Sequence, residues 1–72
     1  MSERKATLGR RIRELRQAEG FTLSGVAEAA GISKSYLSDL ENDKATPTVF
    51  VAKRIADELY TSIGELLEGL DG

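Results

Sequence analysis

The sequence contains no cysteine and no histidine among its 72 residues. Their absence excludes disulfides, thiol nucleophiles, the usual zinc sites and the commonest general base at neutral pH. No apolar run approaches the ~18 residues of a membrane span, and the polar residues 1–6 do not resemble the start of a signal peptide. We therefore expect no enzyme activity, no catalytic residues, no metal, no cofactor and no membrane partner.

The chain is short enough to form one small domain with a thin core. Ten basic and twelve acidic residues give a net charge of −2. Residues 1–22 hold six Lys or Arg against three acids, whereas residues 45–72 hold two against five. This asymmetry can orient a molecule on a polyanion, but the acidic total argues against strong nonspecific binding to DNA. A chain of this length also leaves no room for a separate sensor domain, so no small-molecule ligand is expected.

Apolar residues recur at helical spacing, and no segment alternates with period two for long, so the sequence predicts an all-α fold. Five segments, beginning at about residues 8, 23, 34, 49 and 63, have this pattern. A Ser or Thr that can cap the helix precedes each of them: Thr7, Thr22, Ser33, Thr48 and Ser62. Ser62 and Glu65 match a capping box, and the helix that follows is expected to bury Ile63, Leu66 and Leu67.

Residues 23–42 predict two short helices joined by a tight turn. Helices that cross at about 90–120° need a small residue at their contact and a residue of positive φ in the turn. Ala27 and Gly31 fill these roles, and Leu37 and Leu40 then anchor the second helix from behind. A plain helical hairpin also produces this pattern. The opposite face of the second helix is left polar, and it carries Lys34, Ser35, Ser38 and Asp39.

From residue 7 to residue 67 the sequence resembles the DNA-binding domain of the phage repressor and Cro family, the XRE-type helix-turn-helix. The similarity lies in LGRRIRELRQAEGFT, VAEAAGISKSYLSDLENDKATPT and IADELYTSIGELL, in the family's order and spacing. It implies a compact five-helix, lambda-repressor-like bundle over residues 7–70, whose helix at about 33–42 enters the major groove. It also implies a homodimeric transcriptional regulator of repressor or Cro type on a palindromic operator in double-stranded DNA. Such a regulator is expected in the cytoplasm, associated with the nucleoid.

Matched position by position, the resemblance assigns contacts with bases to Lys34, Ser35, Ser38 and Asp39. It assigns contacts with phosphates to Thr22, Tyr36, Asn42, Lys44, Thr46 and Thr48. It also makes Arg16 and Glu41 a structural pair that joins the first helix to the end of the recognition helix. The chemistry of the side chains supports part of this assignment, because lysine can donate to guanine O6 or N7, whereas aspartate can only accept, which suits cytosine N4.

Three positions depart from the family pattern. Leu23 stands where the family has a phosphate-binding glutamine, and Leu23 cannot form that hydrogen bond. Gly25 replaces a helix-forming residue nearby. Tyr60 replaces a glycine that ends the fourth helix, so either this helix ends differently or Tyr60 holds strain at positive φ.

Several assignments have plainer alternatives. Lys34 and Lys44 are also compatible with ordinary surface lysines, and the ring of Tyr36 with simple packing. The run Arg10, Arg11 and Arg13 is more typical of a solvated helix face than of a binding patch. Residues 1–6 form either a basic arm on DNA or a flexible tail. Leu66 and Leu70 are expected to form a dimer contact, and a frayed tail is the alternative for Leu70.

A second function remains open. The acidic composition, Leu23 in place of a phosphate ligand and Asp39 on the polar face are compatible with a protein-interaction module. Such a module, for example an antitoxin-like regulator, would keep the fold with weak or no DNA binding.

Overall fold

The structure, a computed structural model, describes residues 7–68 and residue 70. The predicted arm at residues 1–6 lies outside the described residues. The described chain forms α1 (Leu8–Ala18), α2 (Leu23–Ala30), α3 (Lys34–Glu41), α4 (Val49–Glu58) and α5 (Ile63–Leu67). No strand occurs in this part of the chain, and the predicted all-α, five-helix fold is confirmed. None of the helices described is long and apolar enough to cross a membrane.

Each helix begins after the hydroxyl residue that the sequence predicts as its cap. The side chain of each cap accepts a hydrogen bond from the backbone N–H three residues later, which satisfies one free amide of the first turn. These pairs are Thr7 with Arg10, Thr22 with Gly25, Ser33 with Tyr36, Thr48 with Val51 and Ser62 with Glu65. Ser62 and Glu65 form both halves of the predicted capping box.

One apolar core joins the helices. Its largest fully buried side chains come from all helices except α2, and they are Ile12, Leu37, Leu40, Ile55, Leu59 and Leu66. Helix α2 contributes Val26 and two small residues, Ala27 and Ala30, and all three are at most 2% exposed. Small side chains let α2 lie close to its neighbours, as the predicted crossing of α2 and α3 requires.

The turn between α2 and α3 depends on Gly31. Its φ of 75° lies in the left-handed region that glycine adopts without strain. The Gly31 N–H donates to the Glu28 carbonyl at 3.1 Å, and the Ile32 N–H donates to the Ala27 carbonyl at 3.0 Å. These bonds close α2 in a Schellman-type end, and Ser33 starts α3 two residues after Gly31.

The beginning of α1 lies directly against the end of α3. Gly9 is buried there, and a Cβ atom added to it would collide with the Leu40 carbonyl oxygen and lie 2.9 Å from the Glu41 carbonyl oxygen. Only glycine allows this approach, so Gly9 fixes where α3 ends relative to α1.

The end of α4 shows the strain that the sequence leaves open. Tyr60 has a φ of 59°, a left-handed conformation that is costly for a bulky residue. Its side chain is 77% exposed, and its ring lies against that of Phe21, with centroids 6.1 Å apart and planes tilted by 60°.

Candidate nucleic-acid interface

Helix α3 has one buried face and one polar face. Leu37 and Leu40 are 0% and 1% exposed and hold the helix against the core. Of the predicted base-contacting residues, Lys34, Ser35 and Asp39 are exposed, and Ser38 is half-buried. The polar face is therefore presented outward with a lysine donor in the first turn and an aspartate acceptor one turn later.

The predicted phosphate-contacting residues flank this face. Thr22 begins α2, and Thr48 begins α4; both are exposed. Each hydroxyl oxygen accepts one hydrogen bond from a backbone N–H, at 3.0 Å for Thr22 and 3.1 Å for Thr48. The hydroxyl hydrogen can still be donated to another group. Helix N-termini also attract anions through their unpaired amides and the helix dipole. Lys44 and Thr46 are exposed in the loop between α3 and α4.

Two predicted phosphate ligands also have structural contacts. The Asn42 side-chain amide donates to the Ser38 carbonyl at 2.9 Å, and it thus closes the last turn of α3. Tyr36 is half-buried and packs against the core, as its plainer alternative states. Leu23, the departure in α2, is half-buried against the same core.

Arg16 and Glu41 form the predicted pair between α1 and the end of α3. The Arg16 Nε donates to Glu41 Oε2 at 2.7 Å, and the second nitrogen donates to Oε1 at 3.0 Å. The third nitrogen donates to the Phe21 carbonyl at 3.0 Å. The hydrogen bond to Glu41 raises the pKa of Arg16. Since the side chains are only 12% and 5% exposed, the pair orients α3 from behind its polar face.

Arg11 does not lie on a plain solvated face as the sequence predicts. Its guanidinium donates to the Glu65 and Glu68 carbonyls, at 2.9 Å in both cases. It therefore holds the end of α5 against α1. Arg10, by contrast, forms only a long ion pair with Glu14, at 3.9 Å along the same helix.

The predicted dimer contact at Leu66 is wrong. Leu66 is 0% exposed because it packs into the core of the chain itself. Its neighbour Leu67, which the sequence predicts to be buried, is 47% exposed instead. Leu70 is half-buried.

Two adjacent, strongly exposed apolar side chains lie at the beginning of α4. Val49 is 72% exposed and Phe50 is 81% exposed. Phe50 borders a shallow groove of about 420 Å³ between the α2–α3 turn and α4. Its lining also includes charged residues of both signs, namely Lys53, Arg54 and Asp57. The sequence analysis did not single out Val49 and Phe50. Both lie in the first turn of α4, where helical periodicity alone does not show which side chains other elements cover.

A family model described as helix-turn-helix matches residues 12–66. Among curated proteins, the HTH-type transcriptional regulator DdrOP3 of Deinococcus deserti is 41% identical over 61 residues, which are 85% of this chain and 47% of that protein. The HTH-type transcriptional regulator SinR of Bacillus subtilis is 37% identical over 62 residues, or 85% of this chain and 56% of SinR. The chain thus spans about half the length of these curated relatives.

A solved structure gives the same result in three dimensions. The crystal structure of SinR, described as the master regulator for biofilm formation, in complex with DNA matches with a TM-score of 0.81 and 35% sequence identity. The match covers 86% of this chain and 100% of that one. The arrangement of the helices is therefore the one found in a transcriptional regulator solved with DNA.

Proposed function

Because the chain belongs to the helix-turn-helix family, we propose that it binds double-stranded DNA in a sequence-specific manner and regulates transcription as a homodimer. The observation that carries the proposal is the outward polar face of α3, anchored by Leu37 and Leu40 and oriented by the Arg16–Glu41 pair. Its site of action would be the cytoplasm, where a bacterial chromosome lies.

The polar face reads bases in this proposal. Helix-turn-helix modules place the N-terminal residues of the recognition helix against base edges in the major groove. Lys34 donates to guanine O6 or N7, and Asp39 accepts from cytosine N4. Ser35 and Ser38 can donate or accept, so they adapt to more than one base.

The flanking residues hold the DNA backbone. Contacts with phosphates fix register and orientation without reading sequence. The exposed hydroxyls of Thr22 and Thr48 at two helix N-termini suit this role, as does the cation of Lys44. The remaining assigned ligands are Tyr36, Asn42 and Thr46.

A palindromic operator requires two protomers whose recognition helices lie about 34 Å apart. In a two-fold dimer the same patch of both protomers meets itself. Val49 and Phe50 form an exposed apolar centre, and the rim of Lys53, Arg54 and Asp57 carries both charges. Lys53 and Asp57 pair with each other within α4 at 3.6 Å, and a rim that carries both charges can form the same pairs with its own rotated copy. We therefore assign the dimer contact to this surface.

The test is selection from a random-sequence duplex library at two salt concentrations. We expect the protein to enrich a palindrome and to lose affinity steeply at higher salt, because binding to phosphates releases counterions. The double variant Lys34→Ala with Asp39→Ala should bind the selected palindrome at least about 30-fold more weakly, since it removes two base contacts that are each worth about 1–3 kcal/mol.

The matched control is Arg10→Ala with Glu14→Ala. It also removes one cation and one anion, from an ion pair on the outer surface of α1, and it should keep the wild-type sequence preference. An unchanged preference in the α3 variant would refute the role of this face.

The second candidate function, binding of a partner protein instead of DNA, is favoured by the exposed apolar pair Val49 and Phe50. It predicts that the library shows no enrichment and no salt dependence. Capture of a partner protein that Phe50→Glu abolishes would then support it.

A further inference from the structure

Asp43 holds a left-handed backbone conformation in the loop between α3 and α4. Its φ is 60°, in a region that is costly for most residues and that aspartate enters more readily than they do. The residue is exposed, so burial in the core does not impose this conformation. A strained position of this kind persists only when specific contacts determine it.

The contacts of Asp43 reach across the chain to the beginning of α1. The Thr7 hydroxyl donates to Asp43 Oδ2 at 2.7 Å, and the Gly9 N–H donates to Asp43 Oδ1 at 3.1 Å. The Thr7 oxygen in turn accepts the Arg10 N–H at 3.2 Å. Thr7 and Asp43 therefore cap α1 together, and the carboxylate lies at the positive end of the helix dipole.

The same loop carries residues that the proposed function places on phosphates. The Lys44 N–H donates to the Asp39 carbonyl at 2.8 Å, and the Asp43 N–H donates to the Leu40 carbonyl at 3.1 Å. Hydrogen bonds thus tie Asp43 and Lys44 to the last turn of α3, which carries Asp39. A shift of Asp43 is therefore passed on to Lys44.

We infer that Asp43 is a positioning residue for DNA binding: by holding the loop against α1, it aims Lys44 and Asn42 at the phosphates. The inference rests on the proposed function. It also predicts a change in DNA affinity opposite to the one expected from charge alone. An acidic side chain beside a DNA-binding surface repels phosphates, so its removal alone should strengthen binding. Positioning predicts the opposite, because a loop released from α1 no longer holds Lys44 in place.

The experiment compares the full chain with Asp43→Ala, Asp43→Asn and Asp43→Gly. Affinity for the selected duplex is measured over a series of salt concentrations, and unfolding is followed under the same conditions. Asp43→Ala should bind about tenfold more weakly, and its salt slope should be smaller by about two, the loss of one phosphate contact in each of the two protomers.

The other two variants separate the carboxylate contacts from backbone strain. Asparagine tolerates the same φ; its oxygen can accept the Gly9 N–H, and its amide can donate to Thr7 Oγ1. Asp43→Asn should therefore restore the affinity and the slope. Asp43→Gly relieves the strain but removes the contacts with α1, so it should remain as weak as Asp43→Ala.

The control for lost stability is Ser62→Ala, which breaks the capping box of α5 and leaves the loop intact. It should lower stability and keep the wild-type salt slope. Unchanged or tighter binding by Asp43→Ala, wild-type binding by Asp43→Gly, or an equal loss of slope in Ser62→Ala would each overturn the inference. If the wild-type chain itself shows no salt-dependent duplex binding, the proposed function fails and the inference falls with it; the other outcomes leave that function intact.

Discussion

Asp43 and Tyr60 are the described residues other than glycine with positive φ, and they differ in what compensates for the strain. Asp43 makes two hydrogen bonds to α1, whereas Tyr60 makes an aromatic contact with Phe21. Aromatic pairs contribute about 0.5–1.5 kcal/mol beyond burial, and a left-handed conformation costs about 1–2 kcal/mol. The ring contact therefore offsets much of the strain at Tyr60.

Two substitutions at residue 60 separate these effects. Tyr60→Ala removes the ring and keeps the strain, whereas Tyr60→Gly removes both. We expect Tyr60→Ala to be less stable than the wild-type chain and Tyr60→Gly to be more stable than Tyr60→Ala by about 1 kcal/mol. Urea unfolding of the three proteins measures this order. If the alanine variant equals or exceeds the glycine variant in stability, the backbone at this position is not strained.

The raised pKa of Arg16 makes the Arg16–Glu41 pair insensitive to ordinary pH through the arginine. A group whose pKa is raised on folding contributes its stability below the unfolded pKa and loses it as pH rises through the folded value. For an arginine both values lie in strongly alkaline solution. Arg16 therefore stays protonated around neutral pH, and its contribution to the orientation of α3 does not change there.

At the scale of elements, α5 is the helix that depends most on its neighbours. It has five residues, and isolated helices of that length are unstable in water. Ser62 and Glu65 satisfy its beginning, and Arg11 binds the Glu65 and Glu68 carbonyls at its end. The helix is thus held at both ends by hydrogen bonds as well as by the burial of Leu66.

Removal of the hydrogen bonds from Arg11 to the end of α5, the Arg11 clamp, should loosen α5 without unfolding the bundle. In Arg11→Ala we expect amide hydrogen exchange at Leu66 to become about tenfold faster, because local opening costs less free energy. Arg13→Ala is the matched control, since Arg13 is an exposed arginine of the same helix. In this variant the amide of Leu66 should exchange at the wild-type rate. Equal effects of the two variants would mean that charge, and not the clamp, stabilises α5.

The bounds of the helices could be predicted from sequence because their signals are local. A cap acts on an amide three residues away, and Gly31 ends α2 through its own φ. The structural roles of Arg11 and Asp43 could not be predicted, because their partners are distant in sequence. Arg11 binds Glu65, 54 residues away, and Asp43 binds Gly9, 34 residues away. The faces of Leu66 and Leu67 were also ambiguous, since a helix of little more than one turn gives no period to choose between adjacent residues.

At the scale of the whole molecule, each protomer of the proposed homodimer presents a single recognition helix. Binding a palindrome then depends on how two protomers meet. A dimer contact must leave α3, the α3–α4 loop, Thr22 and Thr48 free for DNA. The apolar centre at Val49 and Phe50 follows that loop in sequence and contains none of the residues assigned to bases or phosphates. It is therefore the exposed apolar surface on which we base the dimer.

If the proposed dimer contact is right, Phe50→Glu should convert the dimer to a monomer, because two carboxylates would face each other across the proposed two-fold axis in place of two rings. Sedimentation equilibrium measures the change in mass. The monomer should bind the palindrome at least tenfold more weakly, since the linkage of two half-sites is lost, while its affinity for an isolated half-site stays unchanged. Leu67→Glu places the same charge on the partly exposed side chain of α5 and should leave the dimer intact. If Leu67→Glu dissociates the protein and Phe50→Glu does not, the contact lies on α5, near where the sequence placed it, and the α4 surface is free for another partner.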